Sequence, residues 1–192
     1  MDAAALLADG RVHAVLRHVD EDLAAEQRAA GCPRCGARLH SAQYPRKPRG
    51  VPGAWRAQYD RRLSLCCARE GCRKRATPAS VRFLGPKVYV SAVVVLMAAL
   101  RCGPSPARCR VLEELVGVSR RTIARWRRWW TEKLIDTPFW RAAAGTLMPP
   151  VASSQLPAAL LERFGAHPRD RLLAALRWLS PITTRSAAAH AT

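Results

Sequence analysis

The sequence predicts a mainly α-helical protein with one small β element, and three observations support this fold class. Apolar residues recur at helical spacing in separate stretches between residues 11 and 180. The segment RRLSLCC at 61–67 alternates polar and apolar residues, as a strand does. Two pairs of cysteines bracket that strand. We therefore expect an N-terminal amphipathic helix at 1–30, a cysteine-bearing β element with a basic loop at 31–87, a helical unit at 88–137 and a helical tail at 138–192.

The N-terminal helix is predicted over residues 11–30, and Gly31 is placed to end it. After it, residues 41–60 hold three prolines and two glycines without a sustained period, which predicts a loop. The predicted core face of the helix consists of Val12, Val15, Leu16, Val19 and Leu23.

The first cysteine pair, Cys32-Pro-Arg-Cys35-Gly, has a spacing that lets two thiolates reach one ion, and its glycine lets backbone N–H groups point at the sulfurs. In the second pair Cys72 needs a partner. Cys67 is chosen because it shares the packed face of the strand with Leu63 and Leu65, while Cys66, which points the other way, is the alternative.

Four thiolates match the tetrahedral coordination of Zn²⁺ and leave no open position, so the sequence predicts a structural zinc ribbon rather than a catalytic metal. The predicted ligands are Cys32, Cys35, Cys67 and Cys72. We expect Cys102 and Cys109, near the helical region, to be small buried residues instead.

The net charge of +18, from 32 Lys+Arg against 14 Asp+Glu, indicates a polyanionic partner. Residues 31–87 carry 14 basic and 2 acidic side chains, a net charge of +12. Around the second cysteine pair the sequence places a basic cluster that we expect to contact phosphates: Arg69, Arg73, Lys74 and Arg75.

The stretch VLEELVGVSRRTIARWRRWW at 111–130 predicts a helix-turn-helix, with Gly117 in the turn and Ser119 as the cap of the second helix. Stepping 100° per residue puts Ile123, Trp126 and Trp130 on a core face. The opposite face carries long donors suited to guanine edges in a major groove. The candidate DNA contacts of this helix are Arg120, Arg121, Thr122, Arg125 and Arg128.

Two further helical regions complete the prediction. The apolar segment from Val88 to Arg101 is expected to form a central helix and so complete a three-helix unit. In the tail, PAALLERFG and PRDRLLAALRWLS predict a helical hairpin, followed by a frayed end from residue 180. The longest apolar run, 13 residues from Val88 to Leu100, is shorter than the roughly 20 that a membrane span needs. With no basic segment at its start, the chain is expected in the cytoplasm, associated with the nucleoid.

A zinc ribbon followed by a helix-turn-helix resembles the N-terminal region of bacterial insertion-sequence transposases and the small accessory proteins encoded with some of them. The resemblance covers roughly residues 31–134 and depends on CPRCG at 32–36, on Cys67 and Cys72, and on GVSRRTIARW at 117–126. It implies the DNA-recognition half of such a system. The catalytic half is not expected, because after Asp136 only Glu162 and Asp170 remain as carboxylates.

The sequence therefore predicts a non-enzymatic DNA-binding protein with structural Zn²⁺, acting as a transposon-associated accessory factor or a transcriptional regulator. A transposase or recombinase is a further expected partner, and no membrane is. Two alternatives stay open: a protein–protein adaptor that recruits a recombinase or polymerase through its ribbon and tail, and an RNA-binding zinc-ribbon protein. The sequence leaves the oligomeric state undecided.

Overall fold

The computed structural model describes residues 5–6, 9–42, 44–45, 61–84, 88–89 and 106–184. In these residues the protein is mainly helical and carries a small three-stranded antiparallel sheet, which confirms the predicted fold class at that level. No helix in the described ranges combines the length and the apolar character needed to span a bilayer.

Helix α1 spans Gly10–Ala30. The Asp9 carboxylate caps its N-terminus by accepting from the Arg11 N–H at 2.9 Å, and Gly31 ends it at a φ of 80°. The predicted core face is wrong at Val15, which is 47% exposed. The buried face is rotated toward two polar residues and consists of Val12, His13, Leu16, Val19, Asp20 and Ala24.

Residues 31–76 are called the cysteine ribbon below. Its described part contains five short strands: β1 (Leu39–Ser41), β2 (Tyr44–Pro45), β3 (Arg61–Arg62), β4 (Leu65–Cys67) and β5 (Arg75–Ala76). β1, β4 and β5 form an antiparallel sheet with β4 in the middle, and β2 pairs with β3. Residues 46–60 of the predicted loop lie outside the described residues. A small core of its own packs inside the ribbon: Cys32, Leu39, Leu65, Cys67 and Ala76.

The predicted central helix is wrong at its start. Strand β6 (Phe83–Leu84) pairs with β7 (Val88–Tyr89) in an antiparallel hairpin, so the apolar segment begins as a strand. A run of apolar β-branched and aromatic residues such as Val-Tyr-Val suits both a buried strand and a buried helix, and periodicity does not separate them. Residues 90–101 lie outside the described residues.

Two helices follow, α2 (Pro106–Val116) and α3 (Arg120–Arg128). Gly117, at a φ of 63°, provides the left-handed residue of the turn between them. The Ser119 hydroxyl caps α3 by accepting from the Thr122 N–H at 3.4 Å, as predicted. α3 continues into a π-helical turn, Trp129–Lys133, in which the Leu134 N–H donates to the Trp129 carbonyl at 2.8 Å.

The tail adds α4 (Pro138–Ala143), α5 (Ala158–Leu161) and α6 (Pro168–Leu179), with short 3₁₀ turns at Ala144–Thr146, Ser153–Gln155 and Ser180–Thr183. α5 and α6 lie in the two segments expected as a hairpin. Trp178 of α6 contacts Phe139 and Trp140 of α4 edge-on, at centroid distances of 4.9 and 6.0 Å. The predicted frayed end is wrong at its start, because Ser180 and Thr183 are buried. Residues 185–192 lie outside the described residues.

One large apolar cluster, called the main core below, joins the helices into a single packing unit. It combines side chains from α1, from residues 81–83, from the α2–α3 region and from the tail. Its largest buried members include Leu16, Phe83, Trp130, Leu134, Leu160, Leu172 and Leu176. The tail is thus part of the packing that supports α3.

Candidate metal centre and basic surface

The four cysteines selected from the sequence come together at one end of the ribbon sheet. The sulfur atoms of Cys32, Cys35, Cys67 and Cys72 all lie within 4.8 Å of one another. Cys32 Sγ is 3.9 Å from Cys72 Sγ, and Cys35 Sγ is 3.5 Å from Cys67 Sγ. All four are free thiols rather than disulfides. Each of these contacts joins a cysteine of the first pair, Cys32 and Cys35, to a cysteine of the second pair, Cys67 and Cys72. The turns that carry the two pairs are called the first and the second knuckle below.

These distances fit a tetrahedral ion. A regular tetrahedron of sulfurs at about 2.3 Å from Zn²⁺ has edges of about 3.8 Å. Two of the sulfur–sulfur distances, 3.5 and 3.9 Å, lie on either side of that value, and all of them are within 4.8 Å. An all-sulfur tetrahedral donor set is the kind that selects zinc or iron–sulfur centres rather than Mg²⁺ or Ca²⁺.

The first knuckle is shaped by its backbone. The Gly36 N–H donates to the Cys32 carbonyl at 2.8 Å, and the Cys32 N–H donates to the Ala37 carbonyl at 2.9 Å. A Cβ at Gly31 would stand 2.7 Å from the Gly36 carbonyl oxygen, closer than real Cβ contacts come. The glycine that ends α1 therefore also lets the knuckle fold back against the helix.

The second knuckle accommodates the longer C-x4-C spacing with a glycine turn. The Cys72 N–H donates to the Arg69 carbonyl at 3.2 Å, and the Cys67 N–H donates to the Lys74 carbonyl at 2.9 Å. Gly71 at the turn has a φ of 79°. The Arg69 N–H points at Cys67 Sγ from 3.4 Å, as an N–H donor to a metal-bound thiolate would.

The thiols differ in acidity. The backbone N–H of Ala37 lowers the pKa of Cys35 to about 6. Burial raises the pKa of Cys67 to about 12. At neutral pH the cluster by itself therefore favours a thiolate at Cys35 and a thiol at Cys67. A divalent cation supplies the positive charge with which further thiols lose their protons.

Cys66, the alternative ligand, lies on the other face of β4. Its sulfur is 3.8 Å from the Cys67 carbonyl oxygen and 3.6 Å from the Arg73 carbonyl oxygen. The period-two argument from the sequence thus selects the cysteine that joins the cluster. Cys109 is buried, as expected, and Cys102 lies outside the described residues.

The basic cluster surrounds the second knuckle and faces solvent. All four of its side chains, Arg69, Arg73, Lys74 and Arg75, are exposed. Within the described residues, Arg69, Arg73 and Lys74 have no side-chain hydrogen bond or ion pair. No carboxylate in the part of the chain that the structure describes pairs with these three side chains.

Helix α3 separates an apolar face from a basic face, as the sequence predicted. Ile123, Trp126 and Trp130 are buried in the main core. On the other face, Arg121 and Arg125 are exposed, and Arg121 has no side-chain partner within the described ranges. Arg125 donates to the Thr122 hydroxyl at 3.4 Å. Thr122 is 6% exposed, so its hydroxyl lies among Ser119 and Arg125 rather than in solvent.

Two of the candidate arginines already have carboxylate neighbours. Arg120 Nε lies 3.7 Å from Glu113 of α2, whose carboxylate also accepts from the Arg120 N–H at 2.6 Å. Arg128 Nε lies 3.9 Å from Glu132. Glu113 therefore occupies part of the N-terminus of α3, where free backbone N–H groups would otherwise suit a phosphate. The sequence reasoning missed Glu113, and no motif marks it, because the contact depends on how α2 packs beside α3.

No family model, curated protein or solved structure matches this chain.

Proposed function

We propose that this chain is a non-enzymatic DNA-binding protein in which a structural zinc ion holds the cysteine ribbon. The observation that carries the proposal is the pairing of two features in one small unit. Four sulfurs at tetrahedral spacing lie in the same small unit as Arg69, Arg73 and Lys74, which are exposed and have no side-chain hydrogen bond or ion pair in the described residues. The proposal that the ion is zinc depends on the first feature, and the proposal that the partner is DNA depends on the second.

In this proposal the metal stabilises the fold of the cysteine ribbon. Within the described residues, the ribbon's own apolar core has five buried members, which offer little hydrophobic stabilisation. Structural zinc contributes folding free energy directly to such small units. With all four positions taken by Cys32, Cys35, Cys67 and Cys72, the ion has no site for substrate, which argues against metal catalysis.

DNA is favoured over a protein partner by the state of the basic side chains. Some exposed arginines are paired with carboxylates, as Arg17 is with Glu21 at 3.1 Å. Arg69 and Arg73 on the second knuckle have no such pair within the described residues. An unpaired cation gains most from an array of fixed phosphates, because each contact releases a condensed counterion.

In this proposal the basic cluster of the second knuckle and the exposed face of α3 make different kinds of DNA contact. The knuckle cations, on a turn, suit phosphates and set position, while an exposed helical face suits base edges. On α3 we assign base contacts to Arg121 and Arg125. Arg120 and Arg128, whose ion pairs with Glu113 and Glu132 are weak, are left to contact phosphates. The contact from the Thr122 hydroxyl orients Arg125 and gives Thr122 a positioning role.

The biological setting follows from the resemblance alone. The order of cysteine ribbon and α2–α3 pair is similar to the DNA-recognition region of insertion-sequence transposases. We therefore place the protein with the accessory factors or regulators of a mobile element. A transposase or recombinase is its expected protein partner.

The metal is tested by elemental analysis of purified protein. We expect about one zinc per chain in the wild type. Cys67→Ser should lose it, whereas Cys66→Ser, one position away on the opposite face of β4, should keep it. Wild-type protein without stoichiometric metal would refute the centre. Iron in place of zinc would overturn the identity of the ion.

DNA binding is tested by fluorescence anisotropy with duplexes enriched from a random pool. Affinity should fall by orders of magnitude between about 50 and 200 mM salt. Replacing Arg69 and Arg73 together with alanine should reduce the slope of log K against log salt by about 2. Arg17→Ala, an equally exposed arginine on α1, is the control and should leave the slope unchanged.

Base reading is tested with the double variant Arg121→Ala/Arg125→Ala. It should bind enriched and scrambled duplexes equally weakly, because base contacts supply the preference and phosphates the rest. If the variant still prefers the enriched duplex over the scrambled one, α3 is not the recognition helix. Structured RNA that outcompetes duplex DNA for the wild type would favour the RNA-binding alternative instead.

A further inference from the structure

A cleft lies on the side of α3 that faces the start of α2. Its volume is about 440 Å³, and it runs from the first turn of α2 along α3 into the π-helical turn. This volume lies within the range of small-molecule sites, roughly 300–1,000 Å³. π-Helical turns within α-helices occur frequently at functional sites.

The cleft combines an apolar wall with a basic rim. Cys109 and Ile123, which are 6% and 3% exposed, belong to the wall. Arg120, Arg127 and Arg128 line it as well, with Glu132 as the one carboxylate in the lining. These charged residues give the lining a formal net charge of +2.

The rim charges are available to a ligand. Arg127 is exposed and has no side-chain hydrogen bond or ion pair in the part of the chain that the structure describes. Arg120 and Arg128 have their carboxylates at 3.7 and 3.9 Å, in exposed positions. Exposed pairs at such distances are weak, so an anion that presents two oxygens to a guanidinium competes with them readily.

We propose that this cleft binds a small organic anion with an apolar body, of which a medium-chain carboxylate is the simplest form. The guanidinium groups take the carboxylate, and the exposed side chains of Pro106 and Ala124 on the apolar wall take the apolar body. A bare phosphodiester fits less well, because it would leave those side chains in water. The site is distinct from the face of Arg121 and Arg125.

Occupancy also bears on DNA binding, and this part of the inference rests on the proposed function. Arg120 and Arg128 belong both to the cleft and to the candidate DNA contacts. A carboxylate bound there neutralises charge on α3 and lowers DNA affinity. By linkage, DNA lowers the affinity for the carboxylate by the same factor.

Binding is tested on the full chain without DNA, with anilinonaphthalene sulfonate as a fluorescent probe. Octanoate should displace the probe. Octylammonium, with the same chain and the opposite charge, and inorganic phosphate, with charge but no apolar body, should not. Displacement by octylammonium as effective as that by octanoate would overturn the proposal, and so would no displacement by octanoate.

Variants locate the site. Arg127→Gln should weaken octanoate binding about tenfold, the effect of losing a charge-assisted hydrogen bond. Arg121→Gln makes the same change of charge at a residue outside the cleft lining and should change it less than twofold. Ala124→Glu adds a carboxylate to the lining and should abolish binding. Equal losses in Arg127→Gln and Arg121→Gln would show a general charge effect and overturn the site.

The link to DNA is tested separately. Octanoate should raise the Kd for duplex DNA in the wild type and have no effect in Ala124→Glu. If octanoate binds and the protein has no affinity for DNA, the proposed function fails while the cleft stands. If DNA binds and octanoate binds without changing the Kd for DNA, the linkage is overturned. Tight DNA binding without octanoate binding removes the cleft and leaves the proposed function intact.

Discussion

Replacing Asp20 with alanine would remove the acceptor of three buried hydrogen bonds. The Asp20 carboxylate accepts from the Ser80 hydroxyl at 2.7 Å, from the Val81 N–H at 2.7 Å and from Arg82 Nε at 2.8 Å. The side chains of Asp20 and Arg82 are 1% and 2% exposed. This contact joins α1 to the segment by which the chain leaves the cysteine ribbon. The Ser80 N–H extends it to the end of the tail by donating to Thr183 Oγ1 at 2.8 Å.

The size of the effect follows from what Asp20→Ala leaves behind. The guanidinium of Arg82 stays buried and charged and loses the Asp20 carboxylate, while its Nη2 still donates to the Arg61 carbonyl at 3.0 Å. Removing one partner of a buried ion pair costs about 3–5 kcal/mol. We expect a loss of about 4 kcal/mol, against a total stability of about 5–15 kcal/mol for a typical domain. With an m-value of about 2 kcal/mol/M, the urea midpoint falls by about 2 M.

The assay is urea unfolding followed by tryptophan fluorescence, because Trp130 and Trp140 are buried in the main core. The double variant Asp20→Ala/Arg82→Met should recover more than half of the loss, since no lone charge remains buried. Arg17→Ala is the control. Its pair with Glu21 is about half exposed on both sides, so it should cost under about 1 kcal/mol.

Two results would refute this reasoning. One is an Asp20→Ala variant whose stability lies within about 1 kcal/mol of the wild type, which would mean that water reaches the guanidinium. The other is a double variant no more stable than Asp20→Ala, which would mean that the charge left on Arg82 is not the source of the cost.

Three further predictions concern the ribbon and the start of α1. Gly31→Ala should lower the free energy of unfolding by at least about 2 kcal/mol, since its backbone conformation is reserved for glycine and its Cβ would meet a carbonyl oxygen. Gly71→Ala, with open space around the Cβ, should cost clearly less in the same urea titration. Equal losses in the two variants would contradict the clash. Chelating the proposed metal should abolish amide-exchange protection in the ribbon sheet and leave the tryptophan fluorescence of the main core unchanged, because the ribbon core and the main core are separate clusters. Simultaneous loss of both signals would disprove that separation. The Arg11 N–H and the nearby Arg169 guanidinium lower the pKa of Asp9, so its carboxylate stabilises the fold above the unfolded pKa of about 4 and that contribution disappears as pH falls through the folded value. Asp9→Asn should therefore lower Tm at pH 7 and converge with the wild type in strong acid, and a pH-independent difference in Tm would contradict this.

The local features of the site were predictable because each depends on neighbours in sequence. The alternation of Leu63, Leu65 and Cys67 was enough to choose the cysteine that joins the cluster. Helical spacing was enough to put Ile123 and Trp126 in the core. In both cases the period of the element alone decides which side chain faces inward.

The polar interior was not predictable in the same way. An apolar stripe on α1 points to Val15, yet His13 and Asp20 are buried and Val15 is exposed. The reason is the contact between Asp20 and Arg82, 62 positions further along the chain. A helical wheel counts a carboxylate as outward-facing and has no information about a distant partner that makes its burial favourable.

Charge counts have the same weakness, and this bears on where the proposed DNA contacts lie. The net charge of +12 on residues 31–87 includes Arg62 and Arg82, which are 4% and 2% exposed. Inside the fold, Arg62 donates to the Pro78 carbonyl and Arg82 donates to the Asp20 carboxylate. Those two charges do not act on a partner in solution. On α3, likewise, Glu113 screens Arg120, whereas Arg121 has no such neighbour within the described residues. The affinity for a polyanion should therefore follow the number of exposed, unpaired cations rather than the net charge. For this reason, single substitutions on the second knuckle and on the Arg121 face should lower that affinity more than equal changes of charge elsewhere.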